Sequence, residues 1–380
     1  ILDVFTSDFQ KQILHFDTSS QSVNLRQLVW CGEDSVVLHW KHNAKNSNQD
    51  RDKSFALMVG PGSDWLKYEL DSPHVHLIQE IDGVRVLTPL SHTLIQRVPS
   101  SLFDIRSAGS TSPSALLVDA LNAFKSGEPQ ADGTFFVIPS ITIFPHTHIH
   151  HTENLRIIGT NLVTAVIQCA SAASHELVST QSQIELLEAA SYGKAFADDQ
   201  NSLQLSDVLV ESAKKVRVMN SLRQIAHMPL TTAQFDRLGA SAVARRLSNR
   251  HQHFLALKIT SYLRLSKCRQ RVLEHWASRK ILCSPDVDDT ALCQIIRKQL
   301  LQEENKRTQT FRAQRQRRVS YATIANTALK LNRTDLSKRL LEFETNPAAS
   351  VPLYLRMGAY VVVVLSLFST LTHTHKHTHT

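Results

Sequence analysis

The hydrophobic pattern of this chain changes its period, from strands in the first part to helices in the rest. Before about residue 105, short apolar runs such as LVW at 28–30 and VRVL at 84–87 are separated by turn clusters such as GPG at 60–62. From about Leu116 onwards, apolar residues recur at helical spacing in one segment after another. Short strands with regular turns are typical of a sandwich or of propeller blades, whereas successive helices indicate a helical array. The sequence therefore predicts a β region followed by a larger α region.

The β region has room for part of a propeller but not for a closed one. A span of 105 residues corresponds to about two four-stranded blades, at ~40–45 residues for each blade. We therefore predict that residues 1–105 are the C-terminal part of an incomplete β-propeller, and the start at Ile1 indicates an incomplete N-terminus. Trp30, Trp40 and Trp65 are expected in its core or on blade faces, with an exposed binding patch as the alternative.

The α region, 106–357, is predicted to be an α-solenoid, that is, an array of helical hairpins. Small residues at helix contacts, such as Ala165, Ala172 and Ala325, favour closely packed helices. The fold class is therefore mainly α, with a remnant of a β-propeller in front. The predicted helices span residues 114–126, 155–175, 180–196, 205–226, 231–247, 251–265, 269–282, 288–304, 320–331 and 334–344.

Two segments do not fit this array. Residues 133–152, GTFFVIPSITIFPHTHIHHT, have a strand-like composition between predicted helices, and we expect an aberrant insert there. Residues 358–380 begin with an apolar run at 359–371, which is shorter than the ~17–25 apolar residues that a membrane-spanning helix needs. The alternation of His and Thr that follows is of low complexity. We expect a tail that lies outside the array.

Histidine-rich stretches raise the question of a metal site. Alternating histidines in an insert or a tail lack the fixed geometry and the defined fourth ligand of a metal site, so no metal and no cofactor is predicted. The histidines concerned are His146, His148, His150 and His151 in the insert, and His373, His375, His377 and His379 in the tail.

The net charge of +8 is concentrated in one basic run, KRTQTFRAQRQRR at 306–318. Such a run can contact the phosphates of RNA or of anionic lipid. It contains a single aromatic residue, Phe311, and so lacks the stacking platform that single-strand binders use. The favoured interpretation is a solvated connection between helices, and the alternative is an RNA-associated helical-repeat protein.

Nothing in the sequence predicts an enzyme. There is no phosphate-binding glycine loop, no G-x-S-x-G nucleophile elbow and no H-E-x-x-H pair. His275, between Glu274 and Trp276, is interpreted as a packing residue of a helix rather than as a catalytic group. The five cysteines form no C-x-x-C pair, and their odd number favours reduced thiols in the cytosol.

The segment VSYATIANTALKLNRTDLSKRLLEFE, 319–344, is predicted to be a helical hairpin with its break at 331–333. Asn332 can take the left-handed conformation that ends a helix, and Thr334 is the predicted N-cap of the next one. Leu336, Leu340 and Phe343 form the apolar stripe of the second helix. Such a hairpin needs neighbouring helices, which we expect to be those of 251–304.

Several motifs, taken in order, resemble the vacuolar protein sorting-associated protein 16 family. The β part of the resemblance rests on QLVWCGEDSVVLHW (27–40), LMVGPGSDWLKYEL (57–70) and EIDGVRVLTPL (80–90). The α part rests on LLEAASYGKAF (186–196), MPLTTAQFDRL (228–238), VLEHWASRKI (272–281), the 319–344 hairpin and VPLYLRM (351–357), among others. The resemblance covers nearly all of 20–357 except the insert.

This resemblance implies a non-enzymatic scaffold subunit of the HOPS and CORVET tethering complexes. Its implied partners are the SM-family subunit, vacuolar protein sorting-associated protein 33, the other core subunits and, indirectly, SNAREs. The implied location is cytoplasmic, on the surface of late endosomes and of the lysosome or vacuole, where the complexes support membrane fusion and protein transport. Because the array stops after residue 357, an apolar end is expected to be exposed, and binding of the SM-family subunit is expected to be weak.

For the contact with the SM-family subunit we predict the face of the hairpin that lies off its apolar stripe. A merely solvated face is the alternative. The residues concerned are Arg333, Asp335, Ser337, Lys338 and Leu341.

Overall fold

The computed structural model of the protein describes residues 1–18, 25–41, 54–61, 64–70, 72, 74–126, 151–308 and 319–359. The chain forms two compact units. The first comprises Ile1–Met219 with Leu230–Arg237, and the second comprises Asn220–Pro229 with Leu238–Thr380. The predicted insert at 133–152 and the predicted tail at 358–380 lie almost entirely outside the described residues.

The first unit begins with three antiparallel sheets whose strands pair in chain order. The first sheet holds β1 (Leu2–Phe5) and β2 (Gln12–Phe16); the second holds β3 (Leu25–Cys31), β4 (Ser35–Lys41), β5 (Ser54–Val59) and β6 (Trp65–Leu70); the third holds β7 (His76–Gln79), β8 (Gly83–Leu87) and β9 (His92–Gln96). The apolar runs of the sequence therefore form strands, as predicted.

β4, an inner strand of the four-stranded sheet, is covered on both faces. Val36 and Leu38 of β4 pack with Val4 and Leu14 of the first sheet. Val37, which points the other way, packs with residues of the third sheet such as Val84. Burial on both faces explains why β4 reads as an almost continuous apolar run. The stacked sheets are consistent with the predicted remnant of a propeller.

The three tryptophans of the β region have different surroundings. Trp40 is buried and stacks on Phe55 with 5.4 Å between ring centroids. Trp30 and Trp65 are exposed on the surface of the four-stranded sheet.

Helices follow the sheets in the first unit. They are α1 (Ser100–Arg106), α2 (Pro113–Ser126), α3 (His151–Ile158), α4 (Leu162–His175), α5 (Thr180–Lys194), α6 (Asp199–Gln224), whose end belongs to the second unit, and α7 (Thr232–Leu238), which ends at the boundary. Their core contains many small residues, which include Ala165, Ala170 and Ala190. A Cβ atom on Gly193 of α5 would lie 2.8 Å from side chains of Leu117 and Val166, so only glycine fits that contact.

One helical stretch, Asn154–His175, has the length and the composition of a membrane-spanning helix. It is 22 residues long with a mean hydropathy of 1.4, and 44% of its most apolar window is buried inside the protein. Ala165, Val166 and Cys169 of this stretch belong to the core of the first unit. We therefore interpret it as a core helix.

The segment Leu230–Arg237 is fixed to the third sheet by a polar network. Arg85 of β8 donates from Nε to Oε1 of Glu80 at 2.5 Å. The Gln234 side-chain amide donates to Oδ1 of Asp82 at 2.9 Å and also to Glu80. Thr232 donates its hydroxyl to the backbone carbonyl of Ser174 at the end of α4. The segments EIDGVRVL and TTAQFDRL, distant in sequence, thus meet in space.

The second unit is helical in its described residues. It contains α8 (Ala240–Asn249), α9 (His253–Tyr262), α10 (Ser266–Leu282), α11 (Asp289–Thr308), α12 (Tyr321–Lys330), α13 (Thr334–Leu341) and α14 (Pro347–Arg356). Its main core joins α10 through α14 and includes Ala277, Leu292, Ile296, Ile324 and Leu340. The 319–344 hairpin therefore rests on α10 and α11, which lie in the predicted range 251–304.

The helices differ from prediction where glycine and proline occur. The predicted helices 155–175 and 231–247 are each interrupted, at Gly159 (φ 50°) and at Gly239 (φ 74°). Two helices were not predicted, α1 with its seven residues and α14. Pro347 lies in the first turn of α14, where proline is compatible with a helix, and Pro352 lies inside the helix.

The Gln234 network yields a testable prediction. Gln234→Ala removes the amide that bridges Asp82 and Glu80, so we expect the free energy of unfolding to fall by about 1–3 kcal/mol. Amide hydrogen exchange should become faster in residues 230–237. The matched control is Asp236→Ala on the same helix, which removes only the exposed ion pair with Lys215 and should cost less than about 1 kcal/mol. Equal exchange rates in the two variants would contradict the assignment.

Candidate partner-binding surface

The predicted hairpin is present, with its break at the predicted place. α12 ends at Lys330 and α13 begins at Thr334. Asn332 has a φ of 59°, which confirms the predicted left-handed residue. The predicted N-cap is wrong, because Arg333 occupies the N-cap position and no side chain of the segment caps α13 locally.

A carboxylate from another helix takes over the capping of α13. Oδ2 of Asp289, the first residue of α11, accepts the backbone N–H of Leu336 at 3.1 Å. Oδ1 of the same carboxylate accepts Nε–H of Arg333 at 2.7 Å. Asp289 therefore satisfies an unpaired N–H group in the first turn of α13 and holds the residue that precedes it.

The first helix of the hairpin is capped in the same manner. Glu344, which follows α13, accepts the backbone N–H of Ala322 at 2.8 Å and the hydroxyl of Ser320 at 3.2 Å. Glu274 of α10 accepts the backbone N–H of Ser320 at 3.1 Å. Burial raises the pKa of Glu274, although the hydrogen bond from Ser320 acts against this effect. Both helices of the hairpin thus depend on carboxylates outside themselves.

Two of the residues predicted for the partner surface are not on the surface. Ser337 is 0% exposed and Leu341 is 2% exposed, so the expectation that they lie on an exposed face is wrong. α13 packs against both α11 and α12, which buries a stripe wider than the one expected from Leu336 and Leu340. The Ser337 hydroxyl donates to the carbonyl of Ala325 on α12 at 3.1 Å.

Arg333 is a structural residue rather than an exposed one. Its side chain is 15% exposed and pairs with Asp289. Its Nη1 donates to the carbonyl of Ser284 at 2.8 Å, and Nη2 donates to the carbonyl of Val287. The guanidinium thus joins the start of α13 to the loop before α11. Arg333 therefore fixes the position of α13, and its guanidinium is already engaged in contacts within the protein.

Asp335 and Lys338 do lie on the surface. Their side chains are 77% and 48% exposed, with 3.8 Å between Lys338 Nζ and Asp335 Oδ1. An exposed pair at this distance adds little to stability, so both groups are available to a partner. Phe343, predicted in the core, is partly buried, with the Arg297 guanidinium 4.2 Å from its ring centroid. Exposed neighbours of the pair on the hairpin are Lys330, Leu331, Thr334, Arg339 and Glu342.

The candidate catalytic histidine has a structural environment. His275 and His253 are joined through Nδ1 and Nε2 at 2.8 Å. Burial lowers the pKa of both imidazoles, and the neighbouring His251 and Arg279 lower it further. Trp276 packs against the core of the second unit. These contacts support the interpretation of the 274–276 stretch as packing residues.

Other candidate sites fall mostly outside the described residues. The histidines of the insert and the tail lie there, apart from the backbone of His151, and so does the basic run beyond Thr308. Within the described ranges, no group of three or more His, Cys, Asp or Glu is arranged to hold a metal ion. Burial raises the pKa of the Cys169 thiol to about 12, which makes it unreactive as a nucleophile at neutral pH.

The remote cap predicts a large effect from one carboxylate. Asp289→Ala leaves the Arg333 guanidinium without its charge partner and Leu336 without its cap, so the free energy of unfolding should fall by about 1–3 kcal/mol. Thermal unfolding followed by circular dichroism measures this. Asp286→Ala, three residues earlier in the exposed loop, is the control and should change stability by less than about 0.5 kcal/mol. Equal destabilisation by both would show that the cap is unimportant.

Comparison with family models gives matches at both ends of the chain. Residues 1–205 match the model described as Vps16, N-terminal region, and residues 319–371 match Vps16, C-terminal region. The first match alone covers more than half of the 380 residues. The second includes the hairpin and continues to residue 371, into the segment predicted to be a tail.

Curated relatives occur in distant eukaryotes. Protein VACUOLELESS1 of Arabidopsis thaliana is 34% identical over 94% of this chain and 36% of its own length. The vacuolar protein sorting-associated protein 16 homologs of Dictyostelium discoideum and Drosophila melanogaster are 32% and 28% identical, over 87% and 93% of this chain. The matched region is 34% of the length of the Dictyostelium relative and 37% of the length of the Drosophila relative. The chain therefore spans about a third of the length of these relatives. The protein belongs to the vacuolar protein sorting-associated protein 16 family.

Proposed function

We propose that this protein is a subunit for vacuolar protein sorting that acts as a non-enzymatic scaffold. The observation that carries the proposal is the family match over 1–205 and 319–371, together with relatives named for vacuolar protein sorting. The side chains in and around the hairpin support it, because Asp289, Glu344 and Arg333 hold short helices in place instead of forming a reactive site.

The finer proposal is a role in the HOPS and CORVET tethering complexes. There the helical array, proposed to be an α-solenoid, holds the SM-family subunit, vacuolar protein sorting-associated protein 33. Through that subunit it supports SNARE-mediated fusion at late endosomes and at the lysosome or vacuole, as a protein on the cytoplasmic surface of those membranes. An extended helical array suits this role because it offers a long, rigid surface without any catalytic group.

Within this proposal, the contact residues are Asp335 and Lys338. They are exposed, they lie on a helix whose position is fixed by Arg333 and Asp289, and they carry opposite charges. Exposed charges of this kind govern the rate and the specificity of association. Ser337 and Leu341 are left out because they are buried.

Charge reversal at this pair tests the proposal. Asp335→Arg combined with Lys338→Glu keeps the net charge, so a loss of binding reports lost complementarity. We expect the Kd for the purified SM-family subunit to rise about tenfold, which corresponds to about 1.4 kcal/mol, because mismatched exposed charges weaken association. The Kd is measured by fluorescence anisotropy while the labelled chain is titrated with increasing concentrations of the SM-family subunit up to an excess.

The control for this experiment reverses two exposed charges elsewhere. Glu211→Arg on α6 with Lys267→Glu on α10 also keeps the net charge. Unchanged affinity in the control and weakened affinity in the hairpin variant are expected. Equal affinity of both variants would remove Asp335 and Lys338 from the interface, and absence of binding by the unaltered chain would remove the SM-family proposal itself.

The RNA-binding alternative has its own discriminating experiment. If the basic run at 306–318 binds phosphates, the chain should retain RNA on filters with a steep dependence on salt. On the scaffold proposal, we expect no retention at about 100 mM salt. Retention that disappears when the arginines of the run are replaced by glutamine would favour RNA.

A further inference from the structure

A groove lies between α8 and α10 in the second unit, and none of its lining residues belongs to the hairpin. Its volume is about 380 Å³, which is in the range of ligand sites in proteins. Ala244 of α8 and Val272 of α10, both buried, form its floor. Ser241 and Asn249 line it near opposite ends of α8. The groove therefore follows almost the whole of that helix.

The charged groups of the groove are all basic. Arg245 and Arg271 line it from opposite helices, and His275 lies on the same side as Arg271. No aspartate or glutamate is among the lining residues. In the part of the chain that the structure describes, neither arginine forms a direct ion pair, although Arg271 interacts electrostatically with Glu274, three residues further along α10. Two guanidinium groups with no carboxylate in direct contact favour an anionic ligand.

The start of α8 strengthens this preference. α8 begins at Ala240 after Gly239, it has no acidic residue in its first turn, and no side chain caps it. Ser241, in that first turn, lines the groove. The partial positive charge of the helix N-terminus thus adds to the charges of Arg245 and Arg271.

The shape of the groove favours a peptide over a compact headgroup. α8 has ten residues, so the groove runs for about 15 Å. The apolar floor can contact small apolar side chains of a peptide. The Ser241 hydroxyl near one end of the groove and the Asn249 amide near the other can hydrogen-bond the backbone of the peptide. Basic side chains on both sides suit carboxylate side chains of that chain. A single phosphate group would occupy only a fraction of this length.

We propose that the groove between α8 and α10 binds an acidic peptide segment of a partner protein. Arg245 and Arg271 hold its carboxylates from the two sides, and Ser241 and Asn249 hydrogen-bond its backbone. The site is separate from the hairpin surface, and the proposal does not depend on the SM-family subunit as partner.

The probe for this site is a fluorescein-labelled octaglutamate peptide, with octaglutamine as the uncharged comparison. In fluorescence anisotropy with the full chain at about 100 mM NaCl, octaglutamate should bind and octaglutamine should not. Arg245→Gln combined with Arg271→Gln should raise the Kd at least about tenfold, because it removes two charge-assisted contacts.

The matched control removes the same number of charges outside the groove. Arg246→Gln with Arg250→Gln alters two exposed arginines at the same end of the same unit, and neither lines the groove. The Kd for octaglutamate should change less than about twofold in this control, because salt screens the attraction between the peptide and charges outside the groove. An equal loss in both double variants would show non-specific attraction to a basic protein and would overturn the proposal.

Two free cysteines give a second readout that does not depend on charge. Cys268 lines the groove, whereas Cys283 is exposed and does not line it. Bound octaglutamate should slow alkylation of Cys268 by iodoacetamide and leave the rate at Cys283 unchanged, as measured by mass spectrometry of peptides. Protection of neither cysteine at saturating peptide would place the peptide elsewhere and overturn the site.

The histidine pair adds a dependence on pH. His275 is hydrogen-bonded to His253 of α9, and His251 before α9 and Arg279 of α10 lie near it. Burial lowers the pKa of His275 most, and His251 and Arg279 lower it further. A bound carboxylate favours the protonated form, so its pKa is higher in the complex than in the free protein. The affinity for octaglutamate should therefore rise from about pH 8 to about pH 6.5. His275→Gln should remove most of this rise; a rise that persists unchanged would exclude His275 from the site.

A lipid headgroup is the competing occupant, and one comparison separates it from a peptide. The alkylation of Cys268 is measured in two separate experiments, one with octaglutamate and one with vesicles that contain phosphatidylinositol phosphate. Protection by octaglutamate and not by vesicles supports the proposal. Protection by vesicles alone would assign the groove to lipid and overturn it.

Discussion

The carboxylate of Asp289 holds the hairpin surface of the second unit in place. Its two oxygens bind the Arg333 guanidinium and the backbone of Leu336, so the start of α11 fixes the start of α13. α13 has only eight residues, too few for a helix that is stable by itself in water. The surface that presents Asp335 and Lys338 therefore exists because of contacts made by other helices. Glu344 does the same for α12.

The first unit follows the same principle with other groups. Its helices pack through alanines and Gly193, which bring their backbones close together. The Gln234 network then fixes the short segment that contains α7 to the third sheet. In both units, polar side chains are used to hold short elements in position. This use of polar groups suits the scaffold role that we propose for the protein.

The candidate surface shows how far the sequence could predict a site. The position of the hairpin, its break and the left-handed Asn332 all follow from local rules. The burial of Ser337 and Leu341 does not, because it depends on α13 having neighbours on two sides. The role of Arg333 depends on Asp289, which is 44 residues away in the chain. The groove between α8 and α10 was missed for the same reason, since Arg245 and Arg271 belong to different helices.

The sequence by itself determined the order of the elements and the family. Strand-like runs, helical periodicity and a series of motifs are local patterns, and local patterns are what propensity and spacing encode. The tertiary structure alone decided which side chains are buried, which carboxylate caps which helix, and which arginines share a groove. These properties depend on contacts between segments that are distant in the chain, whose pairing is set by packing in three dimensions.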